Sequence, residues 1–379
     1  MISPLILFLL ILSLLIFIHE LGHFIAARKN GVDVEEFGLG LPPRAIGKQI
    51  GRTLYSLNWL PIGGFVKIKG ESLEGYDSKD ESNFINKKPW QKGIILLAGV
   101  FMNFVLGIGI FYIVLAINGW KSNPILLMND YKFKYGETIE ISNIITYIGD
   151  ESPAKEAGLQ FGDQIKSISY AGEVKQVNAV EDIKSFLNDK DGVEVKIATT
   201  NIGTGEESEY EIVPRYNDDA GQVAMGVGLG SAVKVEYATR PQKALAGFLH
   251  SFNIISYSTN IMGNLISQSF QDKNLSSVSS GVSGPVGIFG AVKSILLYGG
   301  DKAAITILDL MGILSISLAV MNLLPIPALD GGRFLFVLYE GITKKRIPVK
   351  FEEKAHQIGF LFLMGLLIVI TFKDIWQLF

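Results

Sequence analysis

The sequence of 379 residues contains no cysteine and only four histidines. Without cysteine the chain has no disulfide, no thiolate ligand for a metal and no cysteine nucleophile, although the redox compartment stays undetermined. Any metal must therefore be held by histidine, aspartate or glutamate side chains. Because histidine is so rare here, each one can be considered individually.

Charge is also scarce. Only 19% of the residues are charged and 48% are hydrophobic, and the mean hydropathy of +0.32 is high for a soluble protein. The net charge is −3, and acidic and basic residues are spread without long runs. The basic patch expected of a nucleic-acid-binding protein is missing. These features predict a membrane protein with a substantial aqueous part and no nucleic-acid partner.

Long apolar stretches predict four membrane spans. Three of them match the roughly 20 residues that a transmembrane helix needs. These three are residues 5–27, 94–117 and 357–372. A fourth stretch, 303–342, is too long for one straight span and contains Pro325 and Pro327. The prolines should end or kink a helix near Leu324.

The basic residues predict the orientation of these spans. No Lys or Arg precedes the first span, whereas eleven lie in residues 28–92 and five in residues 344–354. The segment 118–302 holds 16 Lys/Arg against 22 Asp/Glu. Because basic loops stay in the cytoplasm, both termini and the long segment are expected outside. A cleaved signal peptide is disfavoured, since the first apolar run lacks a basic start and contains ionisable residues.

The long outer segment has the pattern of a small α+β domain at residues 128–216. The strand-like runs "NIITYIG" and "VEVKIATT" flank the helix-like "AVEDIKSFLN". From Pro241 onward an amphipathic stretch fits equally well a helix on the membrane surface or a core-facing helix of the outer domain.

Between the first two spans, residues 38–71 alternate polar and apolar side chains and include a Gly-Gly pair. This pattern is typical of hairpin strands. Attachment to a membrane helix at each end allows the hairpin to dip into the bilayer.

The stretch "HELGH" places His19, Glu20 and His23 inside the first apolar run. On a helix the two histidines share one face about 6 Å apart, a spacing that lets both imidazoles bind one Zn²⁺ while Glu20 lies beside a water at the metal. The alternative is a pair of buried histidines satisfied by neighbouring helices. Each ionisable group there costs roughly 2 to 3 kcal/mol on insertion scales, which favours the metal.

A hydrolytic zinc site needs a third protein ligand at the same membrane depth. Asp330 in "NLLPIPALDGGRF" follows an outside-to-inside span and so reaches the cytoplasmic end, as the two histidines do. Asp309 lies at the outer end and fails on depth. His250 and His356 lie outside the apolar cores and are expected to be ordinary surface or interfacial histidines. Asp330 is therefore the best third ligand.

The residues around Asp330 suggest an irregular backbone at membrane depth. Pro325 and Pro327 unwind the helix, which is tolerated only where the backbone is buried in protein or lines a wet cavity. Gly331 and Gly332 permit close approach of the backbone to metal or substrate. Asn322 could hold a substrate carbonyl or an oxyanion, or make a helix–helix hydrogen bond.

At these residues the chain resembles the site-2 protease family of intramembrane zinc metalloproteases. "HELGH" and "NLLPIPALDGG" match its two signature motifs in order, topology and separation. "WLPIGGFVKIKGE" resembles its membrane-associated β-hairpin, "KPWQKGIILLAGVFMNF" the opening of its second span, and "ESPAKEAGLQFGDQIKSI" the start of a bacterial PDZ domain. "SGPVGIFG" before the third span also agrees, so the resemblance covers nearly the whole chain.

The resemblance implies a catalytic zinc site. Its residues would be the zinc ligands His19, His23 and Asp330, the general base Glu20, and Asn322 as a substrate-positioning or oxyanion residue. The chain departs from the family at Val100, where proline is usual, and at Arg333, where histidine is common. Neither departure touches the implied ligands.

The implied fold is an α-helical membrane protein with four transmembrane helices, a membrane-associated β-hairpin after the first helix and an extracytoplasmic α+β PDZ-like domain. The segments follow in chain order: first transmembrane helix 1–29, hairpin region 30–92, second helix 93–118, PDZ-like domain 128–216, amphipathic linker 217–300, third helix with the broken segment 301–342, and cytoplasmic loop with the fourth helix 343–379.

The implied activity is cleavage of transmembrane segments of single-span proteins, such as anti-sigma factors or remnant signal peptides. The site would face the cytoplasmic side of the bacterial inner membrane, and the PDZ-like domain would dock substrates or filter them by size. Two other classes fit some of the same residues. One is a scaffold with a vestigial zinc site, and the other is a metal transporter whose spans line an ion path.

Overall fold

The computed structural model describes residues 3–71, 80–218, 221–272 and 281–376. Parts of the predicted hairpin region and linker, 72–79 and 273–280, lie outside the described residues. Four helices are long and apolar enough to cross a membrane. They are Pro4–Lys29, Pro89–Ile117, Gly300–Leu323 and Lys350–Trp376. Three of the stretches predicted from hydropathy are therefore helical throughout, and the fourth, 303–342, is helical on both sides of a break after Leu323.

The chain divides into two compact units. One comprises Met1–Tyr112, His250–Leu296 and Ile307–Phe379, and the other comprises Ile113–Leu249 and Leu297–Thr306. The first unit holds most of the apolar helices and both predicted motifs, so it is the unit that positions the site.

Helix α1 (Pro4–Lys29) begins with proline in its first turn, where the missing N–H costs nothing, and is followed by the C-cap residue Asn30. Its buried residues recur every three or four positions along one face. They are Phe8, Ile11, Leu15, His19, Gly22, His23, Ala26 and Ala27. The histidines therefore continue an apolar stripe that faces the interior of the unit.

The predicted hairpin is present as strands β1 (Val34–Ile50) and β2 (Thr53–Ile68). Each long strand bends, and the register divides the pair into four segments in the order 44–50, 53–58, 34–39, 64–68. The segment 64–68 forms one edge. Apolar side chains are exposed toward the bends. They are Leu39, Leu41, Leu57, Trp59, Leu60 and Ile62.

Helix α2 (Pro89–Ile117) follows the sheet. Its first turns share a buried core with the end of α1 and the start of the sheet. The core contains Ala27, Val34, Ile68, Ile95, Leu96 and Val337, among others. This cluster fixes α1, α2 and the edge segment 64–68 against each other.

The second unit contains a sheet in the order β3-β11-β4-β5-β7-β8, with β6 paired to β5. Its strands are β3 Ile125–Leu127, β4 Glu137–Ile148, β5 Asp163–Tyr170, β6 Glu173–Gln176, β7 Val195–Asn201, β8 Glu207–Ile212 and β11 Val227–Glu236. The short strands β9 (Arg215–Asn217) and β10 (Gln222–Ala224) pair separately, and the short helix α3 (Pro153–Glu156) precedes β5. Because β11 lies between β3 and β4, the sheet extends beyond the predicted limits of 128–216 on both sides.

Helix α4 (Val180–Leu187) buries Ile183, Phe186 and Leu187 in the core of this second unit. Isoleucines from three strands complete the core. They are Ile145, Ile165, Ile168 and Ile197. The expected α+β composition of the outer segment is thus present.

Helices α5 (Arg240–Ala244) and α6 (Ala246–Asp272) occupy the stretch predicted to be amphipathic. His250 is 2% exposed and packs edge-on against Phe111 of α2, with ring centroids 4.8 Å apart. The expectation that His250 is a surface histidine was wrong, because α6 turns this face inward. Burial lowers the pKa of the His250 imidazole to about 4, so the ring is neutral.

The last helices of the chain are α7 (Pro285–Tyr298), α8 (Ala303–Leu323), α9 (Asp330–Thr343) and α10 (Val349–Trp376). Helix α8 ends at Leu323, one residue before the predicted break at Leu324. Pro325 and Pro327 lie in the short loop that follows, and Asp330 begins the next helix.

Candidate metal centre

Two histidines of α1 face each other across one turn of the helix. The Nε2 atoms of His19 and His23 are 3.1 Å apart, and both side chains are buried, at 7% and 6% exposure. The predicted four-residue spacing therefore brings two imidazole nitrogens toward one point.

Asp330 joins these two nitrogens from the other end of the sequence. Its Oδ2 lies 3.0 Å from His19 Nε2 and 3.2 Å from His23 Nε2. Within the described residues, these three side chains form the one group of histidine and acidic residues with the geometry of a metal site. The distant carboxylate predicted from membrane depth is thus in place.

The triangle of donor atoms matches a tetrahedral zinc ion. Bonds of roughly 2.0–2.2 Å place the ligand atoms of such an ion about 3.3–3.6 Å apart, and the three atoms here are 3.0–3.2 Å apart, a few tenths of an ångström closer. Asp330 Oδ2 lies close to both imidazoles but is buried without a well-formed hydrogen bond. The lone pairs of His19 Nε2, His23 Nε2 and Asp330 Oδ2 converge with no hydrogen-bond donor between them. A bound cation would stabilise this arrangement.

Hydrogen bonds at the outer nitrogens agree with that arrangement. His23 Nδ1 lies 2.8 Å from the carbonyl oxygen of Ile95. A carbonyl only accepts, so Nδ1 carries the proton and donates, and the lone pair of Nε2 is free to bind metal.

Asn103 of α2 provides the corresponding contact for His19. Its amide lies 3.4 Å from His19 Nδ1, while its Oδ1 is buried without a hydrogen-bond partner. Turning the amide over would let Oδ1 accept a hydrogen bond from Nδ1–H and satisfy both groups. Asn103 is 0% exposed, and its backbone carbonyl accepts from Ser315 of α8. Asn103 is therefore fixed beside the first ligand.

Glycines permit the close approach of α1 and α2. A Cβ added to Gly99 would lie 2.4 Å from His23 Nε2 and 2.8 Å from His19 Nε2. A Cβ on Gly22 would lie 2.3 Å from the carbonyl oxygen of Ala98. The metal-binding nitrogens thus rest directly on the backbone of α2.

The two glycines after Asp330 serve the loop that carries it. A Cβ on Gly331 would lie 2.3 Å from the Leu323 carbonyl oxygen, and one on Gly332 would lie 2.2 Å from the Ile326 carbonyl oxygen. These glycines admit the preceding backbone of the same chain, whereas close approach to metal or substrate was expected.

Glu20 points toward the sheet. Its Oε2 accepts a hydrogen bond of 3.1 Å from the backbone N–H of Val66, in the edge segment 64–68. Asn322 is half-buried one residue before α8 ends, eight positions ahead of Asp330. The predicted base and the predicted oxyanion residue therefore both belong to the unit that contains the metal centre.

Sequence reasoning missed two polar residues of this region. Asn103 was not identified, although an asparagine inside an apolar span is itself costly and could have signalled a role. His356 was expected to be an ordinary surface or interfacial histidine, and its specific partner in the chain was not foreseen. Its Nδ1 accepts a hydrogen bond of 2.8 Å from the backbone N–H of Ala328, and its side chain is 20% exposed.

Two histidines in HExxH spacing, completed by a distant carboxylate, are the donor set of a zinc metallopeptidase. The model of peptidase family M50 matches residues 7–366, so the chain belongs to that family, the site-2 protease family indicated by its motifs.

Several relatives cover almost the full length of the chain. One from Clostridium perfringens is 34% identical over 371 residues, covering 97% of each chain. Another, from Fusobacterium nucleatum, is 31% identical with 97% of each chain covered. A third, from Campylobacter jejuni, is 30% identical over 97% of this chain and 91% of its own. All three carry the name "Putative zinc metalloprotease". The chain is a zinc metallopeptidase by family.

The substitution Gly99→Ala should damage the metal centre. The added methyl group would occupy the space of the His23 and His19 nitrogens, and we expect zinc affinity to fall roughly 10-fold or more. Zinc content after dialysis against a chelator measures the effect. The matched control is Gly109→Ala on the same helix, where an added Cβ meets nothing within 4 Å. Equal zinc retention by the two variants would contradict the arrangement.

Proposed function

We propose that the protein is an intramembrane zinc metalloprotease that cleaves the transmembrane segments of single-span membrane proteins. The observation that carries this proposal is the convergence of His19, His23 and Asp330, with Glu20 adjacent, on a helix long enough to cross a membrane. A peptidase centre placed there meets peptide bonds that soluble enzymes cannot reach.

The chemistry that zinc supplies when bound is polarisation of the scissile carbonyl and acidification of water. His19, His23 and Asp330 would hold it, and the Ile95 carbonyl and Asn103 would orient the two rings. Glu20 takes the proton of the attacking water and passes it to the leaving amine nitrogen. Its Oε2 is held by Val66, which leaves Oε1 for this proton.

Asn322 is the proposed partner of the substrate carbonyl. Its amide can donate to the oxygen on which negative charge develops. The position near the end of α8, in the motif that also delivers Asp330, supports this role.

The substrate must unwind before it is cut, because a helix hides its carbonyls in its own hydrogen bonds. The edge segment 64–68 offers backbone groups to an added strand. The hydrogen bond from Val66 N–H to Glu20 Oε2 supports this site, because the backbone groups on the unpaired side of the edge segment face the proposed base. A strand added there would pass beside Glu20.

The hairpin is proposed to enter the bilayer along α1. Ser13 Oγ donates to the Pro61 carbonyl at 2.7 Å and accepts from Gly63 N–H at 3.2 Å. Ser13 precedes His19 by six residues, roughly 9 Å along the helix axis. The bend of the sheet thus lies beyond the metal centre toward the start of the span, which suits its exposed apolar side chains.

The chain is proposed to reside in the bacterial cytoplasmic membrane with the metal centre toward the cytoplasm and the second unit outside. The distribution of Lys and Arg supports this orientation. The natural substrates would be proteins such as anti-sigma factors or remnant signal peptides, which expose little outside the membrane once trimmed.

The second unit is proposed to be a PDZ-like domain that docks substrates or filters them by size. A groove of about 550 Å³ supports this proposal. One wall is α4, with Val180, Ile183 and Leu187, and the other is the chain at residues 222–229. An extended segment could lie between a helix and a strand in such a groove.

Glu20→Gln should abolish cleavage while zinc remains bound, because an amide cannot take the proton of the water. Wild type and variant are expressed in the same membrane and the accumulated membrane peptides are compared. Glu81→Gln, an exposed change of the same kind, serves as control and should resemble wild type. Identical peptide profiles for wild type and Glu20→Gln would reject the protease. They would favour a scaffold instead.

Proline substitutions in 64–69 should impair cleavage, and the structure selects Val66→Pro as the sharpest one. This change removes the N–H that points to Glu20, so cleavage should fall at least ~100-fold with zinc content intact. Gln49→Pro is the control on the opposite edge segment, where the side chain is exposed. Unchanged cleavage by a folded Val66→Pro variant would remove the edge-strand proposal.

Removing the second unit should admit substrates with longer outer parts. Deleting 128–216 alone would remove β4 and leave β11 paired only with the short strand β3, so residues 122–235 are excised instead. Lys121 and Glu236 are bridge partners, so roughly three glycines can join them. Cleavage is compared for substrates with short and long outer domains. The filter proposal is wrong if the excised and full chains show the same selectivity.

A further inference from the structure

The loop that delivers Asp330 makes an unusual turn at Ala328. This residue has φ +79°, a left-handed conformation that residues with a Cβ rarely adopt. Pro325 and Pro327 in the same loop have no N–H to donate. A turn of this kind persists only where its surroundings hold it in place.

A side chain from another helix provides that support. The backbone N–H of Ala328 donates to His356 Nδ1 of α10 at 2.8 Å. The neighbouring N–H groups bond within the loop, from Ile326 to the Leu324 carbonyl and from Leu329 to the Ile326 carbonyl. Ala328 is therefore the point at which the loop is tied to the last helix.

A second contact lies one turn further along α10. A Cβ added to Gly359 would lie 2.1 Å from the Pro327 carbonyl oxygen. His356 and Gly359 are three residues apart and share one face of the helix. This face supports two successive residues of the loop, 327 and 328, immediately before the proposed zinc ligand.

The hydrogen bond defines the state of the imidazole. An N–H can only donate, so His356 Nδ1 accepts and the neutral ring carries its proton on Nε2. That atom lies 3.8 Å from Glu352 Oε1, and the ring packs edge-on against Phe336 of α9 at 5.8 Å. Nε2 is buried without a hydrogen-bond partner among the described residues, so the hydrogen bond from Ala328 and the contact with Phe336 orient the ring.

We propose that His356 is a positioning residue for the metal centre. By accepting from Ala328 it holds the left-handed turn that places Asp330 Oδ2 between the two imidazoles. This inference rests on the proposed zinc site. It assigns to α10 a role in metal retention that packing alone would not give, because the acceptor atom matters more than the size of the ring.

The test measures zinc loss to a chelator, substrate cleavage and thermal unfolding of the full chain in detergent. His356→Leu removes the acceptor, and we expect zinc to leave roughly 10-fold faster or more and kcat to fall with KM little changed. His356→Asn places an amide oxygen near the position of Nδ1 and should retain zinc as wild type does. Gln357→Leu, an exposed neighbour, is the control.

A rescue variant separates turn geometry from folding. Glycine adopts positive φ without strain, so Ala328→Gly combined with His356→Leu should recover zinc retention that His356→Leu loses. The inference is overturned if His356→Leu retains zinc and cleaves as wild type does, or if neither His356→Asn nor the Ala328→Gly combination retains zinc better than His356→Leu.

Failure of this inference can be told apart from failure of the proposed function. If wild type bound no zinc, or if Glu20→Gln cleaved normally, the proposed function would fail and this inference with it. If wild type binds zinc, Glu20→Gln is inactive and His356→Leu is unaffected, only the inference about His356 fails.

Discussion

The first unit is organised around three lone pairs that meet within 3.2 Å under a cover of apolar helices. Such an arrangement is repulsive unless a cation lies among the three atoms, and buried polar atoms without partners are costly. The packing around them follows from this constraint. Gly99 and Gly22 let two helix backbones close on the imidazoles. The Ile95 carbonyl and Asn103 take the outer nitrogens, so the inner ones can only face the metal.

A second consequence concerns the backbone between α8 and α9. Helix α8 must end near the depth of the two histidines so that the following loop can bring Asp330 to them. A non-helical backbone is tolerated in a membrane protein only where protein or water satisfies its N–H and C=O groups. The loop meets this requirement by folding onto itself through Gly331 and Gly332 and by bonding to His356. The break in the helix is thus supported from α10, a helix that contributes no metal ligand.

The sequence was sufficient for the elements whose signals are local. The "HELGH" spacing, the proline break near Leu324 and the four apolar stretches each predict a feature that the structure contains. Asp330 could be identified because the position of a residue along an apolar stretch is enough to predict its depth in the membrane. His356 and His250 could not be placed, because hydropathy does not say which face of a helix meets a neighbour. The extent of the sheet in the second unit was also missed, since β11 pairs with β4 across a long separation in sequence. The roles of Asn322 and Glu20 stay predictions.

The contact between Glu20 and Val66 joins the two halves of the proposed reaction. A strand edge is reactive because its N–H and C=O groups lack partners, and here one outward N–H already has a carboxylate as its partner. A substrate strand that pairs at this edge must therefore share or replace that hydrogen bond. Where the substrate shares that N–H, Oε2 of Glu20 stays at Val66 and Oε1 is left for the proton, so a strand in the wrong register would present the wrong peptide bond to Oε1. In the proposed reaction, register along the edge, more than side-chain identity, would select the peptide bond that is cut.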